Sequence, residues 1–223
     1  MTSPRVGVLD YGSGNLHSVR HALEAAGADV VVTADRPVLE TCDGLVVPGV
    51  GAFAACLAGL ARVGGDQLIS VWLAAARRPL LGICVGHQAL FARGIEHGVD
   101  TPGLGFLPGA VEPLTSRRLP HMGWNLVTAP PGSRMFAGVA GQRFYFVHSY
   151  AVHHLTSPDV VVTTCEHDGD TFVAAVEAGL AWSTQFHPEK SGAAGARLLG
   201  NWLAEVRRVA GIPPIEDGEA DGC

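Results

Sequence analysis

Leu80-Leu81-Gly82-Ile83-Cys84-Val85-Gly86-His87-Gln88-Ala89-Leu90 decides the architecture. The spacing predicts a strand over Leu80 to Ile83, apolar enough to be buried on both faces, as strands of a parallel sheet are. A helix is predicted from Gly86 to Arg93. Glycines two before and two after Cys84 permit a tight strand-to-helix turn. Such a turn lifts its central side chain above the sheet beside a helix N-terminus, where partial positive charge favours a thiolate. Two roles fit Cys84: a nucleophile, or a buried core thiol of the kind common in proteins. The glycine context favours the nucleophile.

Working outward, the same alternation recurs. Arg5 to Leu9, Val30 to Thr33 and Leu45 to Val47 read as strands. Leu16 to Ala26, Ala52 to Leu60 and Gln67 to Arg77 read as helices, the first with Leu16, Val19, Leu23 and Ala26 at helical spacing and Gly27 as its stop. Strands alternating with helices predict an α/β fold with a mostly parallel central sheet flanked by helices. The second half reads differently. Val111 to Leu114, Asn125 to Thr128, Arg143 to Val147, Val160 to Cys165, Thr171 to Val176 and Leu180 to Gln185 are strand candidates with few long helices between them. They predict additional antiparallel strands before a final helix from about Ala194 to Val209. One domain over residues 1–210 accounts for this, with 211–223 as a flexible acidic tail.

The 223 residues suffice for one good core. With 48% hydrophobic and 16% charged residues, a disordered chain is excluded. The net charge of −6 comes without a basic stretch, which argues against nucleic acid as a partner. Mean hydropathy is +0.25, yet no apolar run reaches the roughly 20 residues that span a bilayer, so no membrane association is expected. Low charge with high hydropathy fits a surface covered by a partner; Ala and Gly enrichment fits equally well. The N-terminal residues lack the pattern of a secretory signal. Five cysteines without a CxxC pair favour neither a disulfide framework nor a zinc cluster. A reducing, cytoplasmic setting is expected, with no metal or other cofactor.

A cysteine nucleophile needs a base. His187, in Trp182-Ser183-Thr184-Gln185-Phe186-His187-Pro188-Glu189, follows a strand end, where α/β proteins place their sites. Pro188 restrains His187 to an extended conformation, and an extended chain through Glu189 would point both side chains the same way. A carboxylate there would orient the imidazole. His148, which also ends an apolar strand, is the competing base. Pro48-Gly49-Val50-Gly51-Ala52-Phe53 lies beyond another strand and exposes backbone N–H groups. It reads as an oxyanion site or as a plain Pro-Gly turn.

Taken together these motifs resemble the class I, triad-type glutamine amidotransferases, whose fold is flavodoxin-like. Gly82 to Gln88 is similar to their nucleophile motif and Phe186 to Glu189 to their His–Glu motif. Val8 to Leu16, Pro48 to Phe53, Pro120 to Asn125, Tyr145 to Tyr150 and Phe186 to Ser191 resemble, in order, the members that work with a separate cyclase. The likeness spans residues 6 to 205. His87 departs from it, standing where Met is more usual. The resemblance implies a triad of Cys84, His187 and Glu189 acting on L-glutamine. It implies oxyanion stabilisation by backbone N–H groups at Val50, Gly51 and Val85. Substrate contacts are implied at Gly51, Gln88, Glu96, His148, Ser149 and Tyr150. The implied partner is a separate TIM-barrel cyclase, forming a heterodimer and receiving ammonia, with Asn15, His121, Met122, Trp124 and Asn125 at the interface. Another triad amidotransferase, a cysteine hydrolase on the same scaffold, or a non-catalytic relative are the alternatives. The ordered motifs and intact triad residues weigh against them.

Overall fold

A computed structural model describes residues 2–12 and 14–213. Most of the expected acidic tail, 214–223, lies outside the described residues. The first half follows the predicted alternation: β1 (Arg5–Leu9), α1 (Leu16–Ala25), β2 (Asp29–Thr33), α2 (Arg36–Leu39), β3 (Gly44–Gly49), α3 (Phe53–Arg62), α4 (Gly65–Val71) and β4 (Leu80–Cys84), with α2 a short unpredicted helix. A π-helical turn, Trp72–Ala76, extends α4 where a continuous helix to Arg77 was expected. Helix α5 (Val85–Ala89) is shorter than predicted. The chain leaves it for β5 (Phe91–Glu96) and β6 (Val99–Pro102), two strands absent from the expected pattern. Next come β7 (Leu107–Pro113), β8 (His121–Leu126), β9 (Arg143–His148), β10 (Tyr150–Val152), β11 (Val160–His167), β12 (Asp170–Ala178), β13 (Ala181–Thr184) and α6 (Gly192–Ala210).

The main sheet has the order β11-β12-β13-β4-β3-β1-β2. From β13 to β2 every pairing is parallel; β12 pairs antiparallel with both β11 and β13. The central strands β3 and β4 are buried along their whole length, which is why their sequences carry no polar alternation. Helix α6 covers one face with Leu198, Leu199, Trp202, Leu203 and Val206. Each such fully buried side chain contributes roughly 1.5–3 kcal/mol. Gly44 keeps that contact close, since a Cβ there would lie 3.0 Å from both Trp202 and Val206.

The antiparallel second half is as expected in kind, with different partners. Strands β10, β7, β5 and β6 form a second sheet, and β8 with β9 a two-stranded ribbon. The predicted strand at Asn125 to Thr128 begins four residues earlier, at His121. The ribbon's inner face carries His121 from β8 and Phe144, Phe146 and His148 from β9. Its outer face carries Met122, Trp124 and Leu126, exposed at 62%, 51% and 49%.

Candidate active site

Three parallel strand ends converge at the cleft. Gly49, the last residue of β3, pairs with Cys84 on β4, and Ile83 pairs with Thr184 on β13. Cys84 has φ 55° and ψ −110°, a conformation that L-residues rarely adopt. The surrounding glycines explain why the turn can close. A Cβ on Gly86 would sit 1.9 Å from the Val47 carbonyl oxygen, and one on Gly82 would sit 2.8 Å from the Gly86 carbonyl. One on Gly49 would lie 2.4 Å from the Gly86 nitrogen. The G-x-C-x-G pattern is therefore a steric requirement of seating α5 against the end of β3.

His187 follows β13 and is extended, with φ −101° and ψ 96°. The extended reading stops there: Pro188–Lys190 is a 3-10 turn, because the fixed φ of Pro188 suits a first helical position. The turn swings the Glu189 carboxylate onto the imidazole, with His187 Nδ1 2.7 Å from Glu189 Oε1. Both side chains are almost wholly buried. Burial alone would push the His187 pKa down. Hydrogen bonds with Cys84 and Glu189 and their charges overcome it and raise the value to about 9. Ser191 Oγ donates to the His187 carbonyl at 2.6 Å and accepts the Tyr145 N–H at 3.0 Å, fixing the segment.

The cleft in front of Cys84 has a volume of about 230 Å³. That is below the roughly 300–1,000 Å³ of pockets for drug-sized ligands and suits a small metabolite. Val50, Gly51, Val85, Gln88, Glu96, His148, Ser149 and Tyr150 line it together with Cys84 and His187. Every residue expected to touch substrate or oxyanion thus borders one cavity. Gly51 has φ +87°, which its lack of a side chain permits. Glu96 Oε2 accepts the Phe53 N–H at 2.9 Å, tying the cavity lining to the start of α3. Gln88 Nε2 donates to the Tyr150 carbonyl and to Gln185 Oε1, both at 2.9 Å.

Other contacts were not legible in the sequence. Gln185 Nε2 lies 3.9 Å from Cys84 Sγ. Tyr11 donates its hydroxyl to the Pro48 carbonyl at 2.5 Å, holding the end of β3. Among the expected interface residues, Met122 and Trp124 are exposed, but His121 is 3% exposed and faces inward. Strand alternation accounts for this: His121 and Asn125 project opposite to Met122 and Trp124. Asn15 is half-buried and donates from Nδ2 to Glu189 Oε1 at 2.5 Å, so it reaches the proposed triad itself. His87 is fully buried, with Nδ1 2.7 Å from Ser183 Oγ. Burial lowers its pKa to about 3, so it adds no charge near the thiol.

The family description glutamine amidotransferase class-I matches residues 7–206. The imidazole glycerol phosphate synthase subunit HisH of Corynebacterium efficiens is 54% identical over 209 residues, covering 90% of this chain and 98% of that protein. The HisH subunit of Cutibacterium acnes is 56% identical over 207 residues, covering 92% and 100%. The chain belongs to the class I glutamine amidotransferases, within the HisH family. The structure of PurLQS from Thermotoga maritima shares the fold, with a TM-score of 0.70 at 22% identity over 91% of this chain and 99% of that one. Among the described residues no helix is long and apolar enough to cross a membrane.

Proposed function

We propose that this HisH-family glutamine amidotransferase hydrolyses L-glutamine at Cys84 and passes the ammonia to a separate TIM-barrel cyclase, with which it forms a heterodimer. The observation that carries the proposal is one geometry: His187, hydrogen-bonded to Glu189, lines with Cys84 one small-metabolite cleft.

His187 holds the proton of the Cys84 thiol within an ion pair, and the Cys84 sulfur attacks the side-chain amide carbon of glutamine. Negative charge gathers on the amide oxygen, where backbone N–H groups at Val50, Gly51 and Val85 receive it. The C–N bond breaks as His187 returns the proton to the departing ammonia. Water, deprotonated by His187, then cleaves the thioester and releases glutamate. Glu189 holds the imidazole in one tautomer throughout and stabilises its charged form. Gly51, Gln88, Glu96, His148, Ser149 and Tyr150 hold glutamine, with Glu96 taking the α-amino group.

The cyclase uses the ammonia to make imidazole glycerol phosphate and aminoimidazole carboxamide ribotide, a step of histidine biosynthesis. The exposed Met122 and Trp124 supply the apolar area such an interface uses. Asn15 links that side of the molecule to Glu189. Among the described residues, Cys42, Cys56, Cys84 and Cys165 are free and buried, which suits the reducing cytoplasm.

Glutamine hydrolysis is measured for the chain alone and with cyclase and its substrate. The expected outcome is near-zero activity alone and a large rise in the complex. Cys84→Ala abolishes glutamine-dependent turnover and spares ammonia-dependent turnover of the complex. Equal activity with and without the cyclase refutes coupling, and glutamine-dependent turnover by Cys84→Ala refutes the nucleophile.

A further inference from the structure

Behind the cleft wall lies a line of hydrogen bonds that the proposed chemistry does not use. His121 and His148 face each other across the β8–β9 ribbon as a register pair. His121 Nδ1 is 2.9 Å from His148 Nε2, and His148 Nδ1 is 3.0 Å from the Tyr150 carbonyl oxygen. The same carbonyl accepts Gln88 Nε2. At the far end Asn125 Nδ2 lies 3.3 Å from His121 Nε2 and donates to the Glu166 carbonyl at 2.8 Å.

Both ends fix the protons independently. A carbonyl only accepts, so His148 must carry its proton on Nδ1, which leaves Nε2 bare. His121 must then donate from Nδ1. From the other side, Asn125 Oδ1 accepts the Leu126 N–H at 2.8 Å, so the Asn125 amide turns its NH₂ toward His121. His121 Nε2 must therefore be bare as well. The two arguments agree on one state: both rings neutral, both protonated on Nδ1. An extra proton on either ring would set two donors against each other. Among the described residues no three His, Cys, Asp or Glu side chains are disposed to hold a metal ion, so the ring contact is a hydrogen bond and not a ligand set. His167 stacks on His121 with ring centroids 4.0 Å apart and turns its Nε2 to the Arg118 carbonyl, leaving the line undisturbed.

We propose that His121 is a positioning residue for glutamine: its Nδ1–H holds His148 in the tautomer that lets His148 and Gln88 grip the Tyr150 carbonyl together. This rests on the reading of His148, Gln88 and Tyr150 as the substrate wall. His121 touches no part of the cleft; it acts through His148. Without its donor, His148 Nε2 is a buried acceptor with no partner, and the ring gains by turning away from Tyr150.

Two variants at one position separate this role from packing. Asn presents an amide nitrogen where the imidazole has Nδ1; Leu fills the space and donates nothing. Both lose the stacking on His167 and Phe146. In the complex with cyclase, His121→Leu is expected to raise KM for glutamine about tenfold with kcat within about threefold. His121→Asn is expected to restore KM to within about threefold of the unsubstituted chain. Equal KM for the Leu and Asn variants, an unchanged KM in the Leu variant, or a loss confined to kcat overturns the proposal. Imidazole ¹⁵N spectra of the unsubstituted free chain at neutral pH give a second readout that needs no variant. His121 and His148 should both appear as neutral Nδ1–H tautomers, and an Nε2–H or charged form of either overturns the proposal. A complex of unsubstituted chain and cyclase without glutaminase activity tells against the enzymatic reading instead, and the spectra still decide whether the line of donors exists.

Discussion

His187 and His148 are both buried and both line one cleft, and the protein treats their protons in opposite ways. His187 stands between a thiol and a carboxylate, and its pKa rises to about 9. His148 stands between a carbonyl and another imidazole. Burial dominates there and lowers its pKa to about 3; His121 behind it is lowered to about 4. Desolvation acts the same way on both walls. What differs is whether a partner can be negatively charged. The elbow wall is built by close backbone approach and holds ionisable partners, as proton transfer requires. The ribbon wall is built by neutral side-chain hydrogen bonds and can only position.

That contrast has its largest expected effect in acid. His87, His121 and His148 are neutral in the folded protein down to pH 4 or below, whereas in the unfolded chain they titrate near 6.5. Between pH 6.5 and 5 the unfolded state binds the extra protons, so stability falls as pH falls. Each group contributes about 1.4 kcal/mol per pH unit, and the three together up to about 4 kcal/mol per unit. Urea unfolding across that range measures the slope. A flat profile would break the comparison, and His87→Met should reduce the slope by about a third.

The opposite limb is smaller, because one group carries it. His187 is raised, so its contribution is complete below pH 6.5 and is lost as pH climbs through about 9. The expected loss is about 1.4 kcal/mol per pH unit at most between those values. Urea midpoints of the unsubstituted chain and His187→Gln should converge as pH rises from 6.5 to 9. A constant difference would mean that the imidazole is not held charged.

The outer face of the ribbon supplies a third test. Trp124 is half exposed and meets Tyr145 only edge-on, with ring centroids 6.2 Å apart. Trp124→Ala should change the stability of the free chain by no more than about 0.5 kcal/mol. It should weaken cyclase binding tenfold or more, as loss of an aromatic anchor does. Calorimetric titration and urea unfolding give the two numbers. Equal losses in both would make Trp124 a packing residue.

The elbow wall was legible in the sequence and the ribbon wall only partly so. Gly82, Cys84 and Gly86 declare their turn because backbone clashes leave no alternative, and apolar β3 and β4 declare a buried sheet. Helix α5 was read too long because Phe91 and Ala92 fit either periodicity. Gly94 lies against the Phe53 ring, where a Cβ would come within 2.6 Å, a meeting across 41 positions that no local pattern announces. The carboxylate of Glu189 was found by proximity in sequence, but by the wrong geometry, since Pro188 starts a turn as readily as it follows an extended residue. His121 is an interface residue only by the family resemblance, and period-two alternation puts it on the side opposite Met122 and Trp124. Asn15 at Glu189 and Gln185 near Cys84 are meetings across 174 and 101 residues, and no local pattern announces them.

The smallest effect bears on what the elbow costs. Cys84 at φ 55°, ψ −110° sits where an L-residue is strained by about 1–3 kcal/mol. Glycine carries no such strain, but loses about 0.5–1 kcal/mol relative to alanine through its freer unfolded chain. Cys84→Gly should therefore be more stable than Cys84→Ala by about 1 kcal/mol, although both lack the thiol and both should be inactive with glutamine. Thermal or urea unfolding of the two variants decides it. If alanine is the more stable, the elbow is unstrained, and the turn owes its shape to the flanking glycines alone. If glycine is, then the protein keeps a costly backbone at the proposed nucleophile, while the ribbon wall carries no comparable strain at His121 or His148.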